Sequence, residues 1–65
     1  MSNYLQYVKA ITEAYKSGLT TFEMASGQIY GYLECLRDMG VITTRDMINH
    51  LRSAVEKLLE IKNNS

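Results

Sequence analysis

Apolar side chains return every three or four positions along this chain, in three separate runs, and do not alternate as a half-buried strand would require. In the first run Tyr4, Val8, Ile11 and Tyr15 follow at steps of four, three and four, with Leu5 and Thr12 beside them. That spacing puts them on one face of a helix over about residues 3–17. The second run, Phe22, Ala25, Ile29, Tyr32, Leu36 and Met39, widened by Leu33, predicts a helix over about 21–39. The third, Met47, Leu51, Ala54, Leu58 and Ile61, predicts one over about 44–62. Ile48, Val55 and Leu59 adjoin this last stripe and make it wider than the seam of a two-stranded coil. Helix three must therefore either sit between two neighbours or touch another chain.

Between the runs a phrase repeats, "SGLTTFEM" over 17–24 and "MGVITTRDM" over 39–47. Gly18 and Gly40 stand where a helix needs a residue able to take the left-handed conformation at its C-terminal stop. Thr20 with Glu23 reads as a capping box: the hydroxyl accepts from the third helical amide and the carboxylate accepts from the amide of the cap residue. Thr43 with Asp46 is the same arrangement with a shorter acid. Leu19 and Ile42 precede these threonines at the position that packs on the fourth helical residue, here Met24 and Met47. The phrase thus encodes stop, turn and restart. Connections this short make consecutive helices run antiparallel, and the expected fold is an all-α, three-helix up-down-up bundle over 1–65. The alternative is a helical hairpin with a loosely attached first helix.

Helix two contains a feature that propensity disfavours. Gly27 and Gly31 lie four apart in its interior, each costing about 1 kcal/mol relative to alanine, and Cys35 continues the line of small side chains. The spacing predicts a groove for close packing, filled by the tyrosines of helix one or of a second chain. A helix broken near Ser26-Gly27 is the competing expectation.

Size sharpens the need for a partner. With 65 residues, a single small core buries only about 60% of the surface of the unfolded chain, and small domains of this kind are usually reinforced by disulfides, a metal or oligomerisation. Cys35 is the only cysteine and His50 the only histidine, so neither an intrachain disulfide nor a four-ligand zinc site is available. Homo-oligomerisation is the remaining route. Seven basic residues balance seven acidic ones, removing the net attraction that supplies most non-specific nucleic-acid binding. The start "MSNYLQYVKAITEAY" has no basic segment followed by an apolar run, no stretch approaches the ~20 apolar residues of a membrane span, and a free cysteine suits a reducing compartment. The expected location is the cytoplasm, with no membrane partner.

Five tyrosines are many for this length. Tyr4, Tyr15 and Tyr32 are expected at core edges with their hydroxyls in water. Tyr7 and Tyr30 fall off the main stripes, and exposed tyrosine favours interfaces because it offers area at small entropic cost. No catalytic, cofactor or metal residue is expected. Cys35 and His50 lack the orienting group and oxyanion donors that nucleophilic catalysis needs; Cys35 reads as a small apolar filler and His50 as solvent-facing. Lys9 with Glu13 and Arg52 with Glu56, each at i,i+4 spacing, read as solvated helix faces. No phosphate-cradling glycine loop is present.

The stretch "SGQIYGYLECLRDMGVIT" resembles the recognition helix and start of the wing in a winged helix-turn-helix, which implies DNA binding. The would-be recognition face carries Gln28, Glu34 and Asp38 against Arg37, whereas groove binding wants arginine and lysine, and Thr43 starts a helix where a β-wing should run. The stretch "LECLRDMGVITTRDMINHLRSAVEKLL" over 33–59 is similar to the short C-terminal helical hairpins appended to many bacterial proteins, which implies a helical association module. The expectation is a non-catalytic regulator or inhibitor that binds another protein through helix faces, such as bacteria and their phages carry. A DNA-binding regulator is the alternative. The contact surface is expected at Ile48, Val55 and Leu59 with Tyr7 and Tyr30, and at Gly27 and Gly31.

Overall fold

The computed structural model describes residues 2–64, which form three helices, α1 Ser2–Lys16, α2 Phe22–Asp38 and α3 Thr44–Asn63, and no strand. They pack as an up-down-up bundle of about 36 × 18 × 17 Å in which every helix touches both others, α3 meeting α2 most extensively. Tyr4 and Val8 of α1 are buried with Ala25, Ile29 and Leu33 of α2 and Met47, Ala54 and Leu58 of α3. The first helix is thus part of the core. Helix α2 runs without a break through Ser26 and Gly27.

The two turns are built alike, and the reference point is the glycine. Gly18 and Gly40 have φ of +78° and +77°, and each sits in a Schellman stop. The Gly18 amide donates to the Tyr15 carbonyl (3.1 Å) and the Leu19 amide to Ala14 (2.8 Å); Gly40 donates to Arg37 and Val41 to Leu36, both at 2.9 Å. Three residues after each glycine comes the N-cap: Thr21 accepts from the Met24 amide at 3.1 Å, and Thr43 from the Asp46 amide at 3.1 Å. At Thr43 the box closes, because the Asp46 carboxylate accepts from the Thr43 amide at 3.2 Å.

This register corrects the expected box of Thr20 with Glu23. The cap of α2 is Thr21, whose third helical residue is Met24, a side chain with no acceptor to return the bond. The shorter acid, Asp46, is the one that completes a box. The staple expected between Leu19 and Met24 fails for the same reason: Leu19 is 81% exposed and Met24 is 58% exposed. Aligned on glycine, Leu19 matches Val41, also exposed, and Thr20 matches Ile42, which packs on the core beside buried Met47. Thr20 therefore occupies an inward-facing place that its counterpart fills with a hydrocarbon. Its hydroxyl oxygen is shielded and has no hydrogen-bond partner among the described residues.

Gly27 and Gly31 do not receive the tyrosines of helix one. A β-carbon at either would meet nothing within 4 Å, because at about 100° per residue both lie on the side of α2 opposite Ile29. Cys35, the expected filler, lies about a third of a turn from Ile29 by the same count and is exposed. Among the described residues neither expected i,i+4 ion pair forms; Arg37 instead approaches Glu34 (3.9 Å) and Asp38 (3.5 Å).

Identical substitutions should have opposite signs at two glycines. Gly40→Ala places a side chain in the left-handed region and should lower stability by about 1–2 kcal/mol, whereas Gly31→Ala removes helical entropy cost and should raise it by about 0.5–1 kcal/mol. Urea midpoints measure both. The cap assignment is tested by a second pair: Thr21→Ala should cost about 1 kcal/mol, while Thr20→Val should be neutral or stabilising, since it replaces an unpaired shielded hydroxyl with an isosteric methyl. The opposite order in thermal melts would return the cap to Thr20.

Candidate functional site

The side of the bundle away from α1 brings three exposed large apolar residues together, Tyr30, Ile48 and Leu59, whereas Leu5 on α1, Leu19 and Val41 in the turns, and Met24 and Met39 at the ends of α2 are more exposed and stand apart from it. On α3, the residues about a third of a turn from the buried line of Met47, Ala54 and Leu58 are Ile48, Val55 and Leu59, in the register that a 3.6-residue repeat dictates. Ile48 remains 49% exposed and Leu59 40%, and Val55 is half-buried. The matching flank of α2 presents Tyr30, 42% exposed, beside Gly27. Between the helices Gly27, Tyr30 and Phe22 face Leu51 and Val55 across an open groove of about 350 Å³. Glycine at position 27 lowers one wall of it. Gly31 is exposed on α2 and does not line this groove. Five of the seven expected contact residues, Gly27, Tyr30, Ile48, Val55 and Leu59, thus lie on one side of the molecule.

Tyr7 is not among them. It lies half-buried on the opposite side, stacked on Tyr32 with ring centroids 4.7 Å apart and planes at 30°. Tyr32 in turn meets Tyr4 at 5.9 Å, and Tyr4 meets the His50 ring at 5.4 Å. Such tilted and offset aromatic pairs add about 0.5–1.5 kcal/mol each beyond their buried area. This aromatic row fastens α1 to α2 and α3, which corrects two expectations. Tyr4 is fully inside, its hydroxyl donating to the His50 carbonyl at 3.4 Å. His50 is half-buried against it and does not project into solvent. At the far end of the bundle Tyr15 packs edge-on to Phe22, and the Lys62 ammonium lies 5.2 Å from the Phe22 ring centroid.

Chemistry finds little purchase elsewhere. A cleft of about 440 Å³ between the ends of α1 and α3 brings Lys16 and Lys57 near Glu60. The Thr12 hydroxyl on its wall already donates to the Val8 carbonyl at 2.6 Å, so the cleft holds no paired nucleophile and base. Cys35 shares a surface depression with Tyr32, Leu36 and Met39, a set that does not include His50. Among the described residues no three His, Cys, Asp or Glu side chains gather as metal ligands, and no helix is long and apolar enough to cross a membrane.

Phe22 and Leu51 also line the groove; helical spacing marks both as core and does not show that the two helices leave a trough over them. Arg52 and Glu56 also belong to the edge of this side. Their i,i+4 spacing signals exposure and says nothing about which face of the bundle they border.

Burial raises the Tyr4 phenol above the ordinary tyrosine value of 10.0, because desolvation penalises the phenolate. Below pH 10 the phenol is neutral in both folded and unfolded chains and costs nothing. As pH rises through 10 the unfolded chain releases its proton first, so stability falls, and the loss continues up to the raised folded value. Absorbance titration of phenolate should show one tyrosine ionising late, and Tyr4→Phe should abolish that late step together with the alkaline fall in melting temperature.

Compared with known proteins, the chain matches no family model, no curated protein and no solved structure, so its function has to be read from the chemistry of its own surface.

Proposed function

We propose that this chain is a non-catalytic protein-binding regulator or inhibitor that acts through the α2–α3 side of its bundle, as a homo-oligomer in the cytoplasm. The observation that carries the reading is the apolar strip of Ile48, Val55 and Leu59 running beside Tyr30 and the Gly27 groove. Three helices have only one interior, and α3 carries more apolar surface than that interior can take. Apolar surface grouped on one side of a small domain marks an interaction site. A tyrosine next to a glycine-walled groove supplies the aromatic anchor and notch from which interface hot spots are made. The balanced charge, seven of each sign, suits protein contacts and offers nothing to a polyanion.

Affinity capture with tagged chain from a lysate of its own cells should retain a specific protein in near-stoichiometric amount. Ile48→Glu alters an exposed position and should leave the helical content of the folded chain unchanged while lowering recovery about tenfold, the equivalent of about 1.4 kcal/mol. Equal recovery by the parent and the variant would remove the α2–α3 side from the reading.

A further inference from the structure

We infer that the occupant of the α2–α3 side is a second copy of this chain, packed face to face and antiparallel so that α3 lies on α3 and α2 on α2. This inference rests on the proposal that this side binds protein, and names what binds it.

The argument is one of symmetry. An isologous interface requires that if one residue meets another across it, the second also meets the first. Ile48, Arg52, Val55 and Leu59 follow at steps of four, three and four, a spacing that reads the same in both directions. Reversed about the point between Ser53 and Ala54, the strip lays Ile48 on Leu59 of the second copy, and Arg52 on Val55. On α2, Gly27 and Tyr30 exchange places when reversed about the point between Gln28 and Ile29. Each tyrosine ring then enters the notch left by the other copy's glycine. The two centres of reversal lie at one level of the bundle, because Gly27 and Tyr30 share their groove with Leu51 and Val55. One two-fold axis crossing the face therefore satisfies both helices at once.

Charge follows the same operator. Arg52 falls within one residue of Glu56 of the second copy, so two reciprocal ion pairs edge the seam, while the arginine stem covers Val55. An approach of like charges, Glu23 towards Glu34 of the second copy, is eased by Arg37, which lies 3.9 Å from Glu34 in its own chain. The area is also compatible. The bundle is 36 × 18 Å across its two longest directions, so complete coverage of one side would remove at most roughly 1,300 Å² from two copies, just inside the ~1,200–2,000 Å² of stable specific interfaces. Because the dimer covers the α2–α3 side, a different protein that docks there competes with the second copy.

Sedimentation of the purified chain at micromolar concentration should show a dimer. Arg52→Glu and Glu56→Arg should each raise the dimer dissociation constant about tenfold, and their combination should return it to within about threefold of the parent. In a Cys35→Ser background, a mixture of Ile48→Cys and Leu59→Cys chains should oxidise to a mixed disulfide dimer faster than either chain alone links to itself. Faster self-linkage of the Ile48→Cys chain would overturn the antiparallel register, and a monomer at all concentrations would overturn the second copy. A monomer that still captured another protein in an Ile48-dependent way would leave the functional reading standing while removing this one. A dimer that captured nothing else would do the reverse.

Discussion

At each of its two corners this chain exchanges one set of backbone hydrogen bonds for another within five residues, and the rest of the molecule depends on that exchange. A left-handed glycine lets the amides after it satisfy carbonyls of the helix just ended. Three residues on, a threonine hydroxyl satisfies an amide of the helix about to begin. Because the orphaned groups of both helix ends are covered locally, the corners need no help from the core. The core is accordingly small: eight buried residues among those described, two of them alanine. Antiparallel packing is a consequence of turn length, and the shared interior of three helices is a consequence of antiparallel packing.

The fold was legible because each helix shows its face in the spacing of apolar residues and each corner shows its glycine. Cap register was less so. At both corners two threonines adjoin; at the second the acid Asp46 stands three residues after the true cap Thr43, whereas at the first Glu23 stands three residues after Thr20, one short of the true cap Thr21, and imitates a box. Distance from the glycine decides, since the Schellman stop fixes where the chain is released. The small-residue line of Gly27, Gly31 and Cys35 was misleading for a different reason. Residues four apart share a face, but the spacing does not say whether that face is inward; only its offset of about a third to a half turn from Ile29 places it outside. Tyr7 is the same case reversed. Its position off the α1 stripe is real, yet Tyr32 reaches round the edge of α2 to meet it.

The α3 surplus was the most informative part of the sequence, because it is a quantity and not a motif. A helix in a three-membered bundle has two neighbours and needs an apolar arc no wider than they cover. Met47, Leu51, Ala54, Leu58 and Ile61 fill that arc, and Ile48, Val55 and Leu59 extend it past α2 into solvent. Legibility ended at the question of what covers the extension, since that depends on how α2 and α3 are levelled against each other. Spacing along either helix alone is silent on it.

Size and surplus meet in the thermodynamics. A domain with so few buried side chains has a small margin of stability, and the residues that would add to its core are the ones it leaves exposed. In the proposed dimer, covering Ile48, Leu59 and Tyr30 with a second copy would turn two thin cores into the inner layers of one four-helix slab, with each α1 on the outside, clamped by its tyrosines. Anything that binds only the folded form stabilises it in proportion to the logarithm of its concentration. When the ligand is the chain itself, folding and assembly become one equilibrium. The helical cost of the exposed Gly27 then has a compensating use, as the notch that lets two α2 backbones come close enough for a tyrosine to be buried between them.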